Sequence, residues 1–129
     1  MRLLLDTNTV LWTSRQPSSL SPAAKAILTD RDTERIISAV TPWELCIKAG
    51  TGKLPAALPL IAAFDQVVTA LSASELPITR RHAILAGQLP WEHKDPFDRM
   101  LAAQALSEGL TLLTKDRIFS SRPDLRVMW

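Results

Sequence analysis

Short apolar runs alternate along this chain with longer segments whose apolar residues recur every three or four positions. The runs Leu3-Leu4-Leu5, Ile36-Ile37 and Leu112-Leu113 are short and uninterrupted, as in strands buried on both faces. Strands are predicted over 2–5, 35–39, 76–78, 111–113 and 126–128. Between them lie helical segments with recognisable punctuation. The first helix, 7–14, turns Val10, Leu11 and Trp12 inward. Ser21 caps a second that Pro22 opens, and Thr41-Pro42 caps a third that Gly50 and Gly52 stop. Pro59 opens a longer apolar helix through about residue 71, and Thr79 caps another that ends near Gly87. Asp95-Pro96 opens the helix 97–107, stopped by Gly109, and 89–94 is the irregular loop before it. This βαβ alternation predicts an α/β fold: a parallel sheet flanked by helices on both faces, with right-handed crossovers. No linker, repeat or low-complexity tract divides residues 1–129, so one domain is expected.

Composition narrows the class. Hydrophobic residues make up 47% of the chain, enough for a real core and too many for a disordered protein. No apolar stretch approaches the roughly 18 residues of a membrane span. Asp6 cuts the first apolar run too early for a signal peptide, which leaves it as the first strand of a cytoplasmic protein. The single cysteine, Cys46, excludes an internal disulfide and a cysteine metal cluster. At helical spacing it aligns with Trp43, Ile47 and Gly50, which predicts a small core residue. A net charge of +2 does not announce nucleic-acid binding. Yet Arg80, Arg81, Lys115, Arg117, Arg122 and Arg126 crowd the second half, either as an ordinary solvated surface or as a basic rim suited to a polyanion.

The candidate chemistry is acidic. Asp6 follows the first strand, Glu44 lies early in the helix after the second, Asp98 lies in a first helical turn, and Asp116 follows Leu112-Leu113-Thr114. Ligands of open α/β sheets bind beyond the carboxyl ends of the strands. Four carboxylates meeting there need a cation between them, and oxygen-only ligands favour Mg²⁺ or Mn²⁺. Such ions commonly serve phosphate-ester hydrolysis. Each acid also has a plainer reading. Asp6 can cap the next helix. Glu44 fits a capping box with Thr41, or an ion pair with Lys48. Asp95 is accounted for as a cap before Pro96, while Asp98 points the same way as Leu101, Ala102 and Ala105 and has the better claim to be a ligand. Asp116 can serve a turn, or act with Thr114 on one side of an extended segment. His82 is expected on a helix surface, and His93, close to the Asp95/Asp98 turn, is not assigned to the site. No P-loop, glycine-rich nucleotide fingerprint or Ser-His-Asp arrangement is present.

In four places the sequence resembles PIN-domain ribonucleases: Leu-Leu-Leu-Asp-Thr-Asn at 3–8, Ser38 to Leu45, His93 to Ala105, and Leu110 to Asp116. The blocks come in family order and span nearly the whole chain. The His-Lys-Asp-Pro-Phe-Asp-Arg form resembles the toxins of bacterial VapBC-type toxin–antitoxin pairs, with Asn8 where many relatives of this form carry histidine. The resemblance implies a small cytoplasmic Mg²⁺- or Mn²⁺-dependent endoribonuclease, usually dimeric, blocked by a small antitoxin through which it meets DNA. It places the acidic site at Asp6, Glu44, Asp98 and Asp116, with Asp6, Asp98 and Asp116 on the metal and Thr114 as polar support. It leaves Asp95 as either ligand or cap. Arg99, Lys115 and Arg117 are candidate phosphate contacts. Two rivals are a non-catalytic binding partner in a repressor complex and a signalling receiver domain. The first leaves the mutual repulsion of four acids without a purpose. The second needs an adjacent acidic pair at the first strand, where this chain has one acid.

Overall fold

A computed structural model describes residues 1–129. Five strands, β1 (Arg2–Leu5), β2 (Glu34–Ser38), β3 (Ser74–Leu76), β4 (Thr111–Leu113) and β5 (Val127–Met128), pair in parallel in the order β3-β2-β1-β4-β5. Seven helices connect them: α1 (Thr7–Arg15), α2 (Pro22–Thr29), α3 (Val40–Gly50), α4 (Ala57–Ala62), α5 (Phe64–Ala70), α6 (Arg80–Gln88) and α7 (Pro96–Glu108). Short 3₁₀ turns add Pro17–Ser19 and Arg117–Ser121. From β1 the chain steps outward to β2 and β3, then returns through α6 and α7 to β4 on the other side of β1. The direction of winding therefore reverses between β1 and β4, where such sheets open a crevice. Leu5 stands in register with Leu113, so the next residues, Asp6 and Thr114, emerge side by side at its mouth.

Leu3, Leu4 and Leu5 are all fully buried, as a central strand covered on both faces requires. Their side chains alternate. Leu3 and Leu5 join one core with Val10, Leu28, Leu45, Leu60 and Val67; Leu4 joins the other with Ile36, Ala102, Leu112 and Phe119. The small residues Ala102, Ala103 and Ala105 bring α7 close to the sheet. No helix is long and apolar enough to cross a membrane.

Several expectations are corrected here. The apolar helix from Pro59 is two helices, α4 and α5, because Ala63 leaves the helical region at φ −110°, ψ 21°; no glycine or proline marks that break. Strand β3 ends at Leu76 rather than running to Ile78, since Pro77 has no N–H for the ladder. Helix α3 begins at Val40, with the Val40 N–H donating to Ser38 Oγ at 3.0 Å, so Thr41 lies inside the helix and caps nothing. Cys46 is exposed, together with Trp43 and Ile47. The inward face of α3 is Val40, Thr41, Glu44 and Leu45; half of it is polar, so the apolar stripe pointed the wrong way. His82 is fully buried instead of lying on a surface. Its Nδ1 accepts from the Thr79 N–H at 3.1 Å, and its Nε2 donates to Glu108 Oε1 at 2.8 Å.

These two placements make opposite demands. Cys46→Ser will change unfolding free energy by less than about 0.5 kcal/mol, the usual range for surface changes. His82→Ala, which removes the acceptor of the Thr79 N–H and leaves a void where a fully buried ring stood, will lose about 2–4 kcal/mol in urea denaturation.

Candidate active site

The crevice is built outward from Asp6. The first residue beyond the fully buried run Leu3-Leu4-Leu5, Asp6 is itself 6% exposed. Its N–H donates to Leu113 O at 3.2 Å, which carries the β1–β4 pairing one residue further. One carboxylate oxygen, Oδ1, accepts from the Thr9 N–H at 2.6 Å, capping α1. The other, Oδ2, accepts from the Thr114 hydroxyl. Cap and pocket roles, opposed in the sequence, are thus held by the two oxygens of one side chain. Burial raises the Asp6 carboxyl above its ordinary value, and the charge of Glu44 adds to that; the bonds from Thr114 and Thr9 hold it back.

Glu44 reaches the same crevice from α3 and is 4% exposed. With Thr41 inside the helix, Glu44 makes no capping box. Its Oε1 accepts from Thr7 Oγ1 at 2.6 Å, and its Oε2 is paired with Lys48 one turn along. Burial lowers the Lys48 ammonium, but contact with Glu44 and the charges of Asp95 and Asp98 outweigh that, so it is raised on balance. Thr7, which also meets Thr41 at 3.4 Å, was not among the candidates. Its signal lay in the Asp-Thr-Asn triplet, where it directly follows Asp6.

Asp98 enters from the first turn of α7. Asp95 caps that helix, its Oδ1 accepting from the N–H groups of Phe97 (2.9 Å) and Asp98 (3.1 Å). The Asp98 carboxyl is raised to about 6, chiefly by burial and then by the charges of Asp95 and Glu44; a hydrogen bond from His93 opposes them. That bond, Nε2 to Oδ2 at 2.6 Å, brings His93 to the site, although it had not been assigned there. An ionised carboxylate has only acceptors, so Nε2 carries the proton.

Asp116 stands apart. It is exposed, it caps the 3₁₀ turn by accepting from the Ile118 N–H at 3.0 Å, and its own N–H donates to Thr114 Oγ1 at 3.0 Å. Thr114 is therefore the bridge between Asp6 and Asp116. Beside them a cavity of about 410 Å³ is lined by Thr114, Lys115, Asp116, Arg117 and Trp129 among others. Lys115 and Arg117 are exposed, and Lys115 lies over the Trp12 ring at 5.8 Å. Arg99 is a correction. Its three guanidinium nitrogens donate to the carbonyls of Ala86, Leu89, Trp91 and His93, so the side chain is bound to a loop rather than offered to a phosphate.

Asp6, Glu44 and Asp98, with Asp95 and Asp116 around them, form an all-oxygen donor set whose charges repel, as a hard divalent cation requires. No three of the acidic and imidazole side chains surround one point at ligating distance. Glu44 is held by Lys48 and Asp98 by His93. The donor chemistry fits such an ion, while Glu44 and Asp98 are oriented by an ammonium and an imidazole of the protein itself.

The PIN domain family matches residues 3–125. Over 116 residues, 89% of this chain and 87% of the relative, the sequence is 33% identical to Ribonuclease VapC22 of Mycobacterium tuberculosis. Among solved structures, VapBC2 from Rickettsia felis bound to a DNA fragment from their promoter aligns with a TM-score of 0.72 at 18% identity, over 99% of this chain and 98% of that one. VapBC-5 from Mycobacterium tuberculosis, a member of the VapBC family of toxin–antitoxin systems, aligns with a TM-score of 0.63 at 17% identity, over 98% and 97%. At such identities these two structures speak for the fold.

The crowded acids predict a pH dependence. The folded pKa of Asp98, about 6, lies above its ordinary value of 3.8, so the folded state binds the proton more tightly. The associated stability is present in full below about pH 4 and is lost as pH rises through 6; the raised Asp6 acts in the same sense. In chelator, the melting temperature will rise as pH falls from 7 toward 5. Asp98→Asn will melt higher than the parent at pH 7, and the gap will close at pH 5.

Proposed function

The chain belongs to the PIN-domain family, and we propose that it is a Mg²⁺- or Mn²⁺-dependent endoribonuclease, the toxin of a toxin–antitoxin pair. The observation that carries this reading is the burial of Asp6 and Glu44 at the reversal point of the sheet, with the charge of Glu44 bearing on both Asp6 and Asp98. The 33% identity to a ribonuclease supports RNA as the substrate. Asp6 and Asp98 are the proposed direct or water-mediated metal ligands, with Glu44 completing the set and Asp116 joining from the rim. A divalent ion held there supplies an acidified water and offsets charge developing on the phosphate.

The protein's own groups do the rest. Thr114 fixes one oxygen of Asp6 and the N–H of Asp116, so the two acids keep a constant relation. Thr7 and Lys48 hold Glu44 at the floor of the crevice. Asp95 acts as the α7 cap and adds negative charge beside Asp98. Lys115 and Arg117 receive backbone phosphates on the exposed side of Asp116. Water attacks phosphorus in line with the departing 3′-oxygen, so the products carry a 5′-phosphate and a 3′-hydroxyl. Selectivity rests on RNA shape and unpaired bases.

The biological unit proposed is a cytoplasmic homodimer held by a cognate small antitoxin, with DNA reached only through that partner. The similarity to VapBC complexes, one of them bound to promoter DNA, supports this assembly.

Purified protein incubated with a mixed RNA pool and Mg²⁺ or Mn²⁺ will give 5′-phosphate ends, and EDTA will stop the reaction. Asp6→Asn, Glu44→Gln and Asp98→Asn will each lower kcat by about 100-fold or more, the scale on which removing electrostatic stabilisation acts. Cleavage that survives EDTA and all three substitutions would sink this reading. Replacing Lys115 and Arg117 with alanine will raise KM and flatten its salt dependence while leaving kcat within a few-fold, because phosphate contacts act through counterion release.

A further inference from the structure

Seven residues, 89–95, join α6 to α7 without regular structure. Connections of this kind are ordinarily the adaptable part of a fold, yet this one is fastened at three levels. Arg99, from the first turns of α7, reaches back beneath it. Its Nε donates to Ala86 O (3.0 Å), Nη2 to Leu89 O (2.8 Å), and Nη1 to both Trp91 O (2.8 Å) and His93 O (3.0 Å). Ala86 lies in the last turn of α6, whose final carbonyls have no helical partner. One planar group thus closes α6 and fixes the backbone of the loop as far as His93.

The side chains supply the second level. Trp91 donates from Nε1 to Ser121 Oγ at 3.0 Å and packs beside Phe119, which ties the loop to the 3₁₀ turn that Asp116 caps. The His93 ring lies against Trp91 with centroids 5.0 Å apart. The third level is the bond from His93 Nε2 to Asp98 Oδ2. Oδ2 is thereby taken, and Oδ1 accepts no hydrogen bond.

We propose that Arg99 and His93 are positioning residues for Asp98: Arg99 sets the loop, the loop sets the imidazole, and the imidazole holds one carboxylate oxygen so that the other is presented to the cation. The proposal rests on the reading of the acidic crevice as a metal site. The geometry of the guanidinium is what makes Arg99 specific. Its fork meets carbonyls in several directions at once, whereas a lysine ammonium is a single point with three protons. Asp98 also needs a donor, because it stands among the charges of Asp95 and Glu44, with Lys48 already given to Glu44. Groups that orient metal-binding side chains from behind typically change metal affinity by about 10- to 100-fold when removed.

The test uses full-length protein stripped of metal, with Arg99→Lys, His93→Ala and His93→Gln compared after circular dichroism and melting confirm the fold. Mn²⁺ affinity is measured by calorimetry, and the imidazole ¹⁵N signals report the His93 tautomer at a single pH where the ring is neutral. Arg99→Lys and His93→Ala are expected to weaken Mn²⁺ binding by about 10-fold or more. His93→Gln, which keeps an N–H donor, is expected to recover most of the loss. In Arg99→Lys the His93 signals are expected to move from a fixed Nε2–H form to a mixture. Should Arg99→Lys fail to fold, the two His93 variants carry the decision. Unchanged affinity in a folded His93→Ala overturns the proposal, as does a failure of His93→Gln to exceed His93→Ala. Asp98→Asn serves as the control for the underlying reading. If it leaves Mn²⁺ binding intact, the metal site is wrong, and the tautomer signature then decides whether Arg99 positions His93.

Discussion

Asp6 leaves the sheet where β1 is flanked on both sides by neighbours, and there its carboxylate must be satisfied almost without water. A buried carboxylate is tolerated only if donors replace the solvent it has lost. Two elements supply them: the first turn of α1 through the Thr9 N–H and the residue after β4 through the Thr114 hydroxyl, while the Asp6 backbone N–H is itself satisfied by Leu113 O in the parallel ladder. The order of the strands is what brings these groups together. With β4 anywhere but beside β1, Thr114 and Asp6 would not emerge in register. The remaining acids are arranged with respect to this fixed point, Glu44 from α3 and Asp98 from α7.

The crevice carries its own counter-charges. Glu44 and Asp98, the two acids carried on helices, are each engaged by a basic side chain from their own neighbourhood, Lys48 four residues along α3 and His93 five residues before Asp98. Burial and mutual repulsion still leave Asp6 and Asp98 raised, so these partners offset only part of the excess negative charge. The structure therefore combines a fixed carboxylate at the floor with two whose orientation depends on a cationic or hydrogen-bonding partner.

Much of this was legible in the sequence, for reasons that can be traced to particular residues. Leu3-Leu4-Leu5 ending at Asp6, and Leu112-Leu113-Thr114, read correctly because strand ends in parallel sheets are marked by an abrupt change from apolar to polar. Asp95-Pro96 and Ser21-Pro22 read correctly as helix starts because caps are local. The errors arose where tertiary packing decides. Glu44 fits a capping box on paper, but α3 starts two residues earlier, at Val40, whose N–H donates to Ser38 Oγ. Cys46 follows an apolar stripe that faces outward, since the inward face is given over to Thr41 and Glu44 for the pocket. Arg99 and His93 could not be assigned from spacing, because their partners are backbone carbonyls and a carboxylate brought together only by the turn between α6 and α7. At Asp6 one oxygen caps α1 while the other accepts from Thr114, so capping leaves half of the carboxylate free for a further role.

The pairing of β1 with β4 spans more than a hundred residues of chain, Leu3 against Thr111 and Leu5 against Leu113. Contacts so distant in sequence are slow to form, since the closure of a long loop precedes any gain from it. During synthesis Asp6 is made 108 residues before its hydroxyl partner Thr114, and synthesis proceeds at about 5–20 residues per second. For several seconds the growing chain holds β1, β2 and their helices without the strand that completes the crevice. A chain interrupted before β4 would carry Asp6, Glu44 and Asp98 and still lack the neighbour that desolvates and orients the first of them. Assembly of the acidic centre is thus tied to the synthesis of β4, a temporal ordering that follows from strand order alone.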